Sequence, residues 1–142
     1  MREPSQARKR TLALHERAIK FSTAVNQLYP EGDMTYPSMV VWRQLIRSAD
    51  SVSNNLVEAG NGSSDADFLN KLRLALREAK ESKACLAKIR LTPLANAQRV
   101  VDRGLEDEAD QLCAIFSTII TNMSMRLSQT KRPPKRGRKT ED

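Results

Sequence analysis

Four stretches of this chain place apolar residues at alternating steps of three and four, which limits them to helices packed along one face. The first runs Leu14, Ala18, Phe21, Val25, Leu28 and stops at the breaker Tyr29-Pro30-Glu31-Gly32-Asp33. The second opens near Pro37, whose missing N–H costs nothing in a first helical turn, and continues Leu45, Ala49, Val52, Leu56, Ala59. It ends at Gly60-Asn61-Gly62. Ser64 is placed to cap a third helix, with Asp65 and Asp67 in its electropositive first turn. The stripe of that helix is the cleanest: Phe68, Leu72, Ala75, Ala79, Ser82, Leu86, Ile89, closed by Thr92-Pro93. After a connection over 93–103, an acidic turn (Glu106, Asp107, Glu108) starts a fourth, with Ala109, Leu112, Phe116, Ile119, Met123, Leu127.

Short connections between four amphipathic helices predict an all-α fold, an antiparallel up-down four-helix bundle over 11–129. Residues 1–10 read as a basic N-terminal extension, and 130–142 as a basic tail too rich in proline and charge to fold alone. Aromatics make up only 4% of the chain, too few for an all-β fold. The stripes are wide in places. Leu69, Leu74 and Leu76 flank the third seam, and Val40, Val41, Trp42 and Ile46 crowd the second. Some of these are extra core; others are candidates for a homo-oligomer interface. No apolar run approaches the ~20 residues of a membrane span, and the first residues lack a signal-peptide pattern. The expectation is a cytoplasmic protein with no membrane partner.

Charge is placed unevenly. The net +7 comes from the ends. Residues 1–10 carry four cations against Glu3, and 130–142 carry six against Glu141 and Asp142, while 11–129 hold fourteen of each sign. Polyanion binding follows if those ends project from one assembly; solubilising tails are the alternative reading.

A catalytic inventory is lacking. His15 is the only histidine, and no recognisable nucleophile accompanies it. Glu78-x-x-Glu81 has carboxylates at helical spacing, but di-iron bundles need Glu-x-x-His. Gly60-Asn61-Gly62-Ser63 precedes a helix, yet it has neither the lysine nor the strand of a phosphate loop. Cys85 and Cys113 form no CxxC pair and read as small buried side chains. Neither an enzyme, a metal site nor a cofactor is expected.

Two basic elements stand out. The third helix carries Lys71, Arg73, Arg77, Lys80, Lys83, Lys88 and Arg90 against Glu78 and Glu81 over 68–91. Steps of four and three bring Arg73, Arg77 and Lys80 onto one face, a row able to follow a phosphate backbone. An ordinary solvated face, with pairs such as Arg77–Glu81, is the competing reading. In the tail, Lys131, Arg132, Lys135, Arg136, Arg138 and Lys139 surround Pro133-Pro134. Its Arg136-Gly137-Arg138 is similar to a minor-groove hook, except that Lys139 stands where such a hook has proline. A nuclear-import signal has a similar composition.

The second helix is polar over Ser51–Glu58, where Asn55 and Glu58 lie beside the seam. If buried, they need partners, which Arg47 or a cation of the third helix could supply, and such groups fix register.

Arg47, Ser51-Val52, Asn55-Leu56, Glu58, Phe68-Leu69, Leu72-Arg73-Leu74-Ala75 and Glu78-Ala79-Lys80-Glu81 resemble a known four-helix-bundle protein family. It includes proteins encoded in intervening sequences of bacterial large-subunit ribosomal RNA genes and accessory variability determinants of diversity-generating retroelements. The resemblance covers about 12–127 and is densest at 45–82. Ala59 and Ser53 depart from it, where members often have Gly and Pro. It implies a bundle that assembles as a barrel-shaped homopentamer. For the retroelement branch, which the basic helix and ends fit best, it implies an accessory that binds a reverse transcriptase with its template RNA or complementary DNA in mutagenic retrohoming. The ribosomal-RNA branch and a purely structural protein-interaction bundle are the alternatives. The expected nucleic-acid contacts are Lys71, Arg73, Arg77, Lys80, Lys83 and the tail cations; Arg47, Asn55, Glu58 and Glu81 are expected to be structural.

Overall fold

A computed structural model describes residues 6–61 and 64–131, with side chains over 10–61 and 64–129. Among them are five helices and no strand: α1 Gln6–Gln27, α2 Tyr36–Gly60, α3 Asp65–Leu91, α4 Ala97–Asp102 and α5 Leu105–Lys131. The four long helices match the four striped segments. The short α4 lies in the connection over 93–103, where six residues are too few to display a periodic stripe.

Two boundaries differ from the sequence reading. Helix α1 reaches back to Gln6, through Gln6-Ala7-Arg8-Lys9-Arg10, all good helix formers. Helix α5 continues to Lys131, the last described residue before the tail.

Three of the helix boundaries have a local cause in the residues beside them. The Thr35 side chain accepts from the Ser38 N–H, with Pro37 in the first turn of α2. Ser64 Oγ accepts from the Asp67 N–H at 3.1 Å, so the expected cap of α3 is in place. Gly104 turns the chain from α4 into α5 at φ +63°, a left-handed conformation that glycine adopts without strain.

One core joins all five helices. Its largest members are Phe21, Trp42, Leu45, Leu72, Leu86 and Phe116, each at most 2% exposed. Trp42 and Leu69, outside the narrow stripes, are core; Leu76 and Ile46 pack at its edge, while Leu74 is exposed. Cys85 and Cys113 are both buried and free, and burial pushes both thiols above their ordinary range.

Contacts between neighbouring helices run in opposite sequence directions. Arg47 meets Glu78 and Glu81, while Glu58, further along α2, meets Lys71, earlier in α3. Along α3 and α5, Arg90 meets Glu106, Lys83 meets Asp110 and Arg73 meets Ser124.

The connection after α3 is pinned to the start of α2. Trp42 donates its indole N–H to the Ala95 carbonyl at 2.9 Å, and Ser38 Oγ accepts the Ala95 N–H at 3.1 Å. Asn96, at φ +58°, donates to the Leu28 carbonyl at 2.9 Å. Tyr29 meets Trp42 edge-on, ring centroids 6.0 Å apart. The opposite end is looser: Leu14, Ile119, Met123 and Leu127 are only half-buried.

Candidate nucleic-acid interface

Helix α3 holds its cations in two different states. On the side facing α2, Lys71 Nζ lies 2.7 Å from Glu58. Toward the start of α5, Lys83 lies 2.7 Å from Asp110, and Arg90 hydrogen-bonds both oxygens of Glu106 at 2.8 and 3.1 Å. Those hydrogen bonds hold Lys83 charged above the usual lysine range and Glu106 below the usual carboxylate range. A cation bound this way offers less to a phosphate, because a carboxylate must be displaced first.

Arg73, Arg77 and Lys80 are different. Arg73 donates to the hydroxyl of Ser124 at 3.4 Å, a neutral partner. Neither Arg77 nor Lys80 forms an ion pair with the described residues, and all three side chains are exposed. The pair anticipated between Arg77 and Glu81 does not form; Glu81 is taken by Arg47 at 2.5 Å, and Arg77 contributes only a longer-range attraction.

The sequence of α5 produces this contrast. Glu106 and Asp110 face α3 near its end, whereas the next positions along the same helical edge are Cys113, Ser117, Thr121 and Ser124. Carboxylates give way to a thiol and hydroxyls, so cations at the start of α3 meet no countercharge there. Periodicity alone showed the row; the register between α3 and α5 decides which of its members are neutralised.

Arg47 spans Glu78 at 3.3 Å and Glu81 at 2.5 Å, and its hydrogen bond holds the Glu81 carboxyl below its ordinary range. Glu58 finds its partner on α3, as described. Asn55 does not reach across; its amide donates to the Ser51 carbonyl of its own helix at 2.8 Å, because a short side chain in a helix readily bonds one turn back. Arg132, Lys135, Arg136, Arg138 and Lys139 lie outside the described residues, as does the Lys131 side chain.

Three polar clusters escaped the sequence reading. Arg17 grips Glu108 with Nε and Nη2, and reaches Gln111 at 2.6 Å. Ser22 and Asn26 of α1 both donate to Asp50 of α2. Ser48 and Ser82 share a buried hydrogen bond. Only the last left a signal, a serine within the apolar stripe of α3.

No group of three or more His, Cys, Asp or Glu could hold a metal among the described residues. No described helix is long and apolar enough to cross a membrane.

No curated protein matches this sequence. A solved structure from Bacteroides thetaiotaomicron, a protein of unknown function from the S23 ribosomal protein family, is similar in fold, with TM-score 0.64 and 24% identity. The match covers 75% of this chain and 97% of that one. The family model for the 23S rRNA-intervening sequence protein matches residues 10–117, and the chain belongs to that family.

Proposed function

We propose that this protein is a non-enzymatic, RNA-binding helical bundle that holds a phosphate backbone on Arg73, Arg77 and Lys80. One observation carries the reading: these three cations lack a carboxylate partner among the described residues, whereas Arg47, Lys71, Lys83 and Arg90 each have one. Their spacing follows one helical face, and the hydroxyl of Ser124 beside Arg73 adds a neutral donor. The basic tail extends the same field. Family membership points to ribosomal RNA as the first ligand to try. The reverse transcriptase partner and retrohoming rest on the resemblance of the sequence alone, and the family match favours the ribosomal-RNA branch over them.

The opposed contact directions support an antiparallel up-down arrangement of α1, α2, α3 and α5. A barrel-shaped homopentamer in the cytoplasm is part of the same proposal. Exposed Leu12, Ile19, Val57 and Leu74 would supply apolar contact between subunits, and the α3 row would recur around the ring. Catalysis has no support: His15 packs its ring against Gly60, where an added Cβ would lie 3.3 Å from it.

The test is fluorescence anisotropy with a labelled 23S ribosomal RNA fragment across a salt series. Affinity should fall steeply with salt, and the Arg73→Gln/Arg77→Gln/Lys80→Gln variant should bind weakly with unchanged helicity. Salt-independent binding, or full affinity in the triple variant, would overturn the assignment.

A further inference from the structure

A groove of about 590 Å³ opens between α1 and α5 at the loose end of the fold, lined on α3 by Phe68 and Leu72 and not by its cations. All four long helices line it. Its walls are Leu14, Phe68, Ile119 and Met123, and its floor is Leu56 and Leu72. The volume lies within the range of small-molecule sites, and the space between bundle helices is a usual place for one.

The charged groups of the described lining are all cationic, beside the neutral hydroxyl of Thr11. Arg10 and Arg126 line it, and neither forms an ion pair among the described residues. His15 lines it as well. Arg17 also contributes, but its guanidinium is held by Glu108 and Gln111. No carboxylate of the described residues belongs to the lining. An apolar interior with a cationic rim is complementary to a molecule with an anionic head and a hydrocarbon body.

Width selects among such molecules. Leu56 and Leu72 line the groove but are only 2% and 0% exposed, so an occupant packs on the half-buried Leu14, Phe68, Ile119 and Met123 rather than on the floor. A helix, about 10–12 Å across with its side chains, would fill about 590 Å³ in under two turns, too short a stretch to hold it. A single alkyl chain is slender enough to lie along those walls. The tail of this chain is a poor occupant, since 130–142 carry a net positive charge like the rim.

We propose that the groove binds one long-chain carboxylate, its hydrocarbon between α1 and α5 and its headgroup on Arg10 and Arg126. This reading is independent of the RNA interface and uses none of its residues.

The full-length protein would be titrated calorimetrically with dodecanoate, below its micelle concentration, and with the neutral methyl ester. One dodecanoate should bind per chain, about tenfold more tightly than the ester, because a charge-assisted contact is lost in the ester. Arg10→Gln/Arg126→Gln should bring the two ligands to parity with helicity intact. Met123→Trp, which fills the half-buried wall, should abolish both. Absence of saturation, many molecules per chain, equal affinity for acid and ester, or a preference that survives the double substitution would overturn the proposal. So would binding that appears only after residues 132–142 are removed, which would make the tail the occupant. A change of oligomer mass on adding dodecanoate would do the same, with a second copy of the chain as the occupant.

Discussion

Ser48 and Ser82 face each other across α2 and α3, their hydroxyls 2.7 Å apart and neither side chain exposed. Each also lies near a carbonyl of its own helix, Ser48 by Leu45 at 3.1 Å and Ser82 by Glu78 at 2.9 Å, so one hydroxyl donates across the pair while the other donates to its carbonyl. The pair is small enough to let the helices approach closely, and both hydroxyls have partners, so burial leaves no polar atom stranded. Removing one hydroxyl deprives the other of a partner; removing both leaves nothing unsatisfied. Ser48→Ala and Ser82→Ala should each destabilise by about 1 kcal/mol, and the double variant by less than the sum of the singles. Urea unfolding of the four proteins measures the coupling, and strict additivity would refute it.

Trp42 ties the start of α2 to the α3–α4 connection through its bond to Ala95. Trp42→Phe keeps an aromatic ring but loses the N–H donor and some volume. A loss of about 1–3 kcal/mol is expected, with a lower thermal midpoint and intact helicity. A loss near zero would mean that the connection is held by Ser38 and Asn96 alone.

Neutralising the paired and unpaired cations of α3 should have unequal effects on RNA binding. The triple Gln variant of Arg73, Arg77 and Lys80 should lower the slope of log affinity against log salt by roughly 2, since each phosphate contact contributes about 0.7–0.9. Lys71→Gln/Lys83→Gln should change the slope by less than about 0.5 on the same scale. Equal changes in both variants would show that ion pairing within the protein does not select the contact residues.

The Arg47–Glu81 contact predicts a dependence on acid. Its hydrogen bond lowers the Glu81 pKa in the folded state, so the native protein binds fewer protons than the unfolded chain in that range. The stabilisation is present above the ordinary glutamate pKa and disappears as pH falls through the lowered value. With Glu81 38% exposed and Arg47 56%, screening keeps this to about 0.2–1 kcal/mol, at the low end of that span. Urea midpoints from pH 7 to pH 3 should fall less for Arg47→Gln than for the parent protein. Parallel curves would remove the contact from the acid response.

Cys85 and Cys113 should resist alkylation. Both thiols are buried, and burial disfavours the reactive thiolate. Iodoacetamide at pH 8 should label neither in the native protein and both in urea; rapid native labelling would show that the core opens near them.

The long helices were legible because each stripe repeats over several turns, and Ser64 announced α3 by its place before Asp65 and Asp67. Helix α4 was not, since its one buried residue, Val100, defines no period. The basic row was legible as composition, but its division was not. Whether Lys83 or Lys80 is neutralised depends on Asp110 standing opposite one and Cys113 near the other, and that register belongs to packing, not to either segment alone. Spacing shows Asn55 beside the seam and in need of a partner if buried; its bond to Ser51 depends on a side-chain rotamer that spacing does not encode.

The meeting of α1 with α5 differs from the other helix contacts in how far it reaches along the chain. Ser22 and Asp50 are 28 residues apart and Ser48 and Ser82 are 34, whereas Arg17 and Glu108 are separated by 91. The sequential hairpins close small loops; the α1–α5 seam closes a loop that spans most of the fold, at a larger entropic cost. That seam also ends in the half-buried Leu14, Ile119, Met123 and Leu127. The seam should therefore be a door that opens while α2 and α3 stay shut, and amide hydrogens along α1 should exchange faster than those of α2 and α3.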